Sequence, residues 1–194
     1  MTAFVAPVAI VSLSGCGINS IPTAEEQVNA AWANVQSEYQ RRSDLIPNLV
    51  ETVKGYANQE REVLVEVTNA RARASQVQLN AGDLDDPAKV QAFNDAQSAV
   101  GSSLGRLLAT FEAYPDLKSN QNFLTLQSQI EGTENSILVS RRDYNEAVRA
   151  YNTRIRTFPD VIGAKIFYGS EPKVPFQAAS GADKAPTVDF GNNS

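Results

Sequence analysis

The stretch RRSDLIPNLV, residues 41–50, sets two arginines, an aspartate and a proline inside a run whose apolar residues fall at helical spacing. Pro47 has no backbone N–H to offer the carbonyl of Ser43, and its ring crowds that carbonyl, so a regular helix is interrupted here. Two folds follow. Either the chain turns at Ser43-Asp44 and a new helix starts with Pro47 in its first turn, or one long helix kinks. The residues Tyr39, Arg42, Ile46 and Leu49 keep phase across the proline, as a kink requires.

The surrounding stripes set the lengths. Pro22 and Thr23-Ala24-Glu25-Glu26 read as a capping box that opens a helix with Val28, Trp32, Val35 and Tyr39 on one face. A second stripe runs from Ile46 through Leu49, Val53, Tyr56, Glu60, Val63, Val67, Ala70 and Ala74 to Val77, with Asn80-Ala81-Gly82 as its stop. The third follows Asp85-Asp86-Pro87 and runs from Val90 and Phe93 to Phe111 and Tyr114. The fourth, from Phe123 to Phe158, alternates three and four without a slip, the period of a coiled coil. No strand signal of comparable length occurs, so the fold class is all-α.

A helix over residues 24 to 80 would span about 85 Å, whereas the third and fourth cover about 40 and about 60 Å. Val28, Trp32 and Val35 would then project uncovered. Folding the first segment back buries them, and the expected architecture is an antiparallel four-helix bundle with long helices. The alternative is a kinked three-helix coiled-coil rod whose stalk pairs with another subunit or the membrane. In the bundle, Arg41 and Arg42 stand at a helix C-terminus and Asp44 at the next N-terminus, each complementing the local dipole by about 0.3–1 kcal/mol.

Glu60, Gln97, Glu134 and Arg141 occupy stripe positions where apolar residues would stabilise more. Buried charge is costly unless paired. These residues, with Arg41, Arg42, Asp44 and Arg71, read as a structural polar network that fixes helix register, with Arg71 expected to approach Glu134 from a parallel helix. The competing reading is a binding site between helices. Gly101 and Gly105, in GSSLG on the third helix, mark close helix contact.

Composition excludes much chemistry. At 194 residues and 42% hydrophobic content the chain makes one domain. A formal net charge of -5 argues against nucleic acid as a partner. Without histidine, His-ligated metals and Ser-His or Cys-His catalysis lose a required group. Glu60, Glu131 and Glu134 supply carboxylates, but composition offers no cleft or aromatic sugar platform, so the chain reads as non-enzymatic, with no catalytic, metal or cofactor residues.

Residues 1–15 are apolar and uncharged but short of the roughly 20 residues a membrane helix needs. They read as a lipoprotein signal peptide. Leu13-Ser14-Gly15-Cys16 resembles a lipobox, in which cleavage before Cys16 exposes it for acyl chains such as palmitate. No Lys or Arg precedes Arg41, so the usual basic n-region is missing. Gly17, rather than aspartate, resembles outer-membrane sorting where a cell has two membranes. Residues 16–22 are then an anchor linker, 23–159 the bundle and 160–194 a largely irregular tail. Ile166, Phe167, Tyr168, Phe176 and Phe190 are more apolar than a linker requires, so docking of the tail on the bundle or a partner stays open.

Residues 41–60, Ala70-Arg71-Ala72, YPDLKSNQNFLTLQSQIEGTEN at 114–135, Arg141 and the Tyr-Asn pairs at 144–145 and 151–152 together resemble the LemA family of bacterial membrane-associated proteins. The likeness covers roughly residues 22–160. It implies a helical bundle held by an N-terminal anchor outside the cytoplasmic face of the membrane, with no established catalytic activity. The expected function is that of a lipid-anchored scaffold or adaptor with an envelope protein as partner. The alternative is a module that binds an apolar ligand or lipid between its helices. Self-association stays open.

Overall fold

A computed structural model describes residues 19–55 and 60–177. Six α-helices occur among them and no strand: α1 (Ser20–Lys54), α2 (Arg61–Gln76), α3 (Pro87–Phe111), α4 (Pro115–Lys118), α5 (Gln121–Arg154) and α6 (Asp160–Gly163). Leu13, Ser14, Gly15 and Cys16, read above as resembling a lipobox, lie outside the described residues.

The turn expected at Ser43-Asp44 is not there. Helix α1 runs unbroken through Pro47, and the chain leaves it only after Lys54. The length argument failed because it placed no break between residues 47 and 80. With α1 ending at Lys54, its 35 residues span about 52 Å and match the 34 residues of α5, about 51 Å. The two lie antiparallel: Arg154 at the end of α5 donates to the Ser20 carbonyl at the start of α1, while Arg42 meets Glu134 further along. Arg41, Arg42 and Asp44 therefore stand in mid-helix and complement no helix terminus.

Other boundaries shift for local reasons. Helix α1 already includes residues 20–22 of the expected linker, and Thr23 is no cap, because its hydroxyl donates back to the Asn19 carbonyl at 2.8 Å. The start of α3 is as expected, with Pro87 in the first turn and the Asp86 carboxylate accepting from the amides of Ala88 and Lys89. Around Gly105 there is open space, and a Cβ on Gly101 would meet the nearest atom at an ordinary 3.5 Å, so neither glycine marks close helix contact.

Two apolar cores, a lower and an upper, lie in that order along the α1–α5 pair. The first gathers Ile46, Leu49 and Val53 of α1 with Val67 and Ala70 of α2, Leu104 and Leu107 of α3, and Phe123 and Ile130 of α5. Four long helices and Leu117 of the short α4 build this half. The second gathers Val28, Trp32 and Val35 of α1 with Phe93 of α3, Tyr144, Val148 and Tyr151 of α5, Leu79 and Leu84 of the α2–α3 connection, and Phe176. Trp32 sits among aromatic rings, with centroids 5.3 Å from Phe93, 5.8 Å from Tyr144 and 6.0 Å from Phe176. What covers the N-terminal half of α1 is thus the far half of α5 and a strap from the C-terminal segment. The bundle does not end at residue 159: Asp160–Gly163 is helical, and Phe176 is buried in the core.

Candidate functional site

Each core stops at a polar layer. Arg42 lies on the α1 stripe between Tyr39 of one core and Ile46 of the other, and only 3% of it is exposed. Its Nη1 donates to Glu134 Oε1 at 3.0 Å, and its Nη2 donates to the side-chain oxygen and the carbonyl of Gln97 at 2.6 and 2.8 Å. The guanidinium also stands 5.0 Å from the Tyr39 ring centroid. Glu134 is 39% exposed, so the pair is buried at its cationic end and open to water at its anionic one. Charge-assisted bonds of this kind offset the desolvation of the arginine and fix the register of three helices at once.

A second arginine continues the layer towards the strap. Arg141 Nη2 donates to Asn94 Oδ1 at 2.9 Å and to the Gln177 carbonyl at 3.2 Å, with its guanidinium 4.8 Å from the Phe176 ring centroid. Burial pushes the Tyr39 hydroxyl above its ordinary pKa, while the nearby Arg141 and Arg42 charges pull the other way and lose. Tyr144, wholly buried, is pushed up further by desolvation alone.

The remaining expected members divide. Arg71 does not approach Glu134: its Nε donates at 2.8 Å to the Ser43 carbonyl, and Glu134 is taken by Arg42. Glu60 accepts from the Tyr114 hydroxyl at 3.2 Å, at the opposite end of the lower core. Asp44 accepts from Gln40 one turn back on the surface, and Arg41 is exposed. Of the seven charged residues read as one network, Arg42 and Glu134 bind each other, Arg141 joins the same layer, and the other four lie elsewhere.

Sequence reasoning missed the second arrangement, a clasp on the strap. Asn152 and Asn145 project from α5 seven residues apart. The Asn152 amide accepts from Lys173 N–H at 2.8 Å and donates to its carbonyl at 2.7 Å; Asn145 does the same with Phe176 at 2.8 and 2.9 Å. The spacing explains itself. Seven helical residues rise about 10.5 Å, and three extended residues span about 10 Å, so two heptad-related asparagines can hold both backbone groups of residues i and i+3 of an extended chain. The Tyr144 hydroxyl donates to the Val174 carbonyl at 3.0 Å, and Val174 N–H donates to the Leu84 carbonyl at 2.7 Å. Lys173 is buried with its ammonium 3.6 Å from Glu25 and 3.8 Å from Asp85. The visible signal was the repeated Tyr-Asn pair: the tyrosine faces the core, and the asparagine beside it faces the strap.

Beside the polar layer a cavity of about 310 Å³ opens between α1, α2 and α3, with Tyr39, Ile46 and Phe93 on its apolar wall and Arg42, Arg71 and Gln36 on its polar one. No group of carboxylates or cysteines among the described residues is placed to hold a metal ion.

Fold and layer together define an all-helical bundle whose interior charges are turned on each other and whose C-terminal strap is clasped by asparagines. The family model of LemA matches residues 31–190, a span that takes in both arrangements, and the chain belongs to the LemA family. It is similar to Protein LemA of Metamycoplasma hominis, at 27% identity over 79% of this chain and 69% of that one. It is similar also to magnetosome protein MamQ 2 of Paramagnetospirillum magneticum, at 27%, and to magnetosome protein MamQ of Magnetospirillum gryphiswaldense, at 25%. For both MamQ proteins the match covers 73% of this chain and 58% of theirs, so the chain spans under two thirds of their length.

Proposed function

We propose that this protein is a lipid-anchored, non-enzymatic component of the bacterial cell envelope that acts as a scaffold or adaptor for other envelope proteins. The observation that carries the reading is the use of its interior charges: Arg42, Glu134 and Gln97 bond to one another, and Arg141 bonds to Asn94 and the strap. Groups committed in this way hold helices in register and have little capacity left for substrate. No helix among the described residues is long and apolar enough to cross a membrane, so in this reading attachment falls to the N-terminal segment, through acylated Cys16. Gly17 after the cysteine supports placement on the outer membrane where a cell has two. Metabolic labelling with a palmitate analogue tests the anchor, with incorporation expected in the natural chain and absent in Cys16→Ser. Crosslinking in intact cells tests the scaffold, with a reproducible protein partner as the expected product. Recovery of a turned-over substrate instead would defeat it.

The cavity beside Arg71 favours a second reading, a binding module for a small ligand with an apolar body. Its volume lies at the low end of the range for ligand sites. Native mass spectrometry of protein taken directly from membranes should then show a stoichiometric adduct.

A further inference from the structure

The outer surface of the segment after α5 is greasier than folding requires. Phe158, Ile162, Ile166 and Phe167 are 80, 48, 70 and 66% exposed. The side of this segment that packs on the bundle is made of the small residues Gly163 and Ala164, both buried, with Gly163 against Ile21 of α1. The pattern is therefore inverted, with small residues inside and large apolar ones in water. Ile162 and Ile166, four residues apart, share one side of the helical turns formed by residues 160–168, and exposed Phe158 directly precedes those turns. No described residue covers them. A patch of this kind marks a surface that meets something else.

Its position names the occupant. The segment is tied to the start of α1, where the Ser20 hydroxyl donates to Asp160 at 2.7 Å and Arg154 donates to the Ser20 carbonyl at 3.0 Å. Four residues separate Ser20 from Cys16, which is a reach of at most about 14 Å. An acyl chain on Cys16 would hold this end of the bundle, and no other, against the bilayer. The exposed cations Lys165 and Arg156 flank the apolar side chains, as they do on helices that lie in anionic membrane interfaces.

We infer that residues 158–167 form a membrane-interface foot: Phe158, Ile162, Ile166 and Phe167 enter the outer part of the leaflet that carries the Cys16 anchor and stand the bundle upright on it. This rests on the lipid-anchor reading above. The anchor supplies a high local concentration, so a patch too small to bind vesicles alone is sufficient once tethered.

The test uses the full-length acylated chain in vesicles of phosphatidylethanolamine and phosphatidylglycerol. An environment-sensitive fluorophore is placed at Ile166→Cys or, as a control roughly 39 Å away along the bundle, at Ser128→Cys. Lipids spin-labelled at graded depths should quench the probe at 166 most strongly at roughly 5–10 Å below the surface and leave the probe at 128 untouched. Three outcomes overturn the inference. If the protein floats with vesicles but the two probes are equally unquenched, the foot is wrong and the anchor stands. If the protein does not float, both fail. If the probe at 166 is shielded by a second copy, or by the chain's own remaining residues in the absence of vesicles, the occupant is not lipid.

Discussion

Arg71 Nε donates at 2.8 Å to the carbonyl of Ser43, which is the acceptor that Pro47, four residues on, has no N–H to reach. The proline that should have broken α1 thus leaves one orphan carbonyl, and α2 supplies its donor. The residues around Pro47 divide between two tasks: the Arg42 side chain builds the layer between the cores, and the Ser43 carbonyl accepts the bond that docks α2.

The pair is separable by a double-mutant cycle. Arg71→Met should cost about 1 kcal/mol by leaving a half-buried carbonyl unmet. In the Pro47→Ala background, where the helix itself provides a donor, the same change should cost clearly less. Equal costs by urea denaturation would show that the bond is incidental.

Arg42 and Glu134 should behave asymmetrically. Glu134→Ala strands a buried guanidinium with only neutral Gln97 as partner, and about 2–3 kcal/mol of stability should go, below the 3–5 kcal/mol of a fully enclosed pair because Glu134 faces water at one edge. The joint replacement Arg42→Met with Glu134→Met removes the desolvation cost with the attraction and should lie within about 1 kcal/mol of the natural chain. Chemical denaturation of the three proteins measures both.

For the clasp, hydrogen exchange is the direct probe. Asn145→Ala removes two bonds to Phe176 and should cost about 1–2 kcal/mol locally. The Phe176 amide should lose protection while amides of the lower core keep theirs. With Asn152→Ala added, the strap should leave, Trp32 emission should shift red, and a protease should trim the tail back towards residue 160 within seconds. Unchanged protection at both Lys173 and Phe176 would rule the clasp out as the restraint.

High pH should loosen the upper core first. Burial raises Tyr39 and Tyr144 above the ordinary value of 10.0, so the folded state keeps protons that the unfolded state releases. Their contribution is complete below pH 10 and is lost as pH rises through the folded values, at about 1.4 kcal/mol per pH unit for each group. Thermal melts from pH 8 to 12 should show this decline, shallower in Tyr39→Phe. A flat profile would mean that these hydroxyls reach solvent.

Gly105→Ala tests the reading of GSSLG. With open space where the Cβ would go, the substitution should stabilise α3 by about 0.5–1 kcal/mol through backbone entropy alone.

Much of this was legible in the stripes. The periodicity placed Trp32, Phe93, Phe111, Tyr144 and Tyr151 in the core, and Gln97, Glu134 and Arg141 stood out as polar residues on apolar faces, whereas the expected turn put Arg42 at the end of a helix. The partner of Glu134 was not legible, because a stripe gives a residue's angle on its own helix but not the height at which two helices meet. The proline misled for a related reason. A local rule states the penalty of a missing N–H, whereas the side chain that meets it comes from 28 residues further on. The strap was half legible: Phe176 stood out as more apolar than a linker requires, but an extended segment held by asparagine amides carries no periodicity to show where it docks.

Trp32 has one of its ring neighbours, Phe176, at the other end of the described chain. A ribosome delivers the tryptophan more than 140 residues before its lid, at roughly 5–20 residues per second. For at least several seconds the nascent chain therefore carries an indole that lacks its last covering ring. A chain cut short before 173 would never receive that lid, and this side of the indole would stay uncovered.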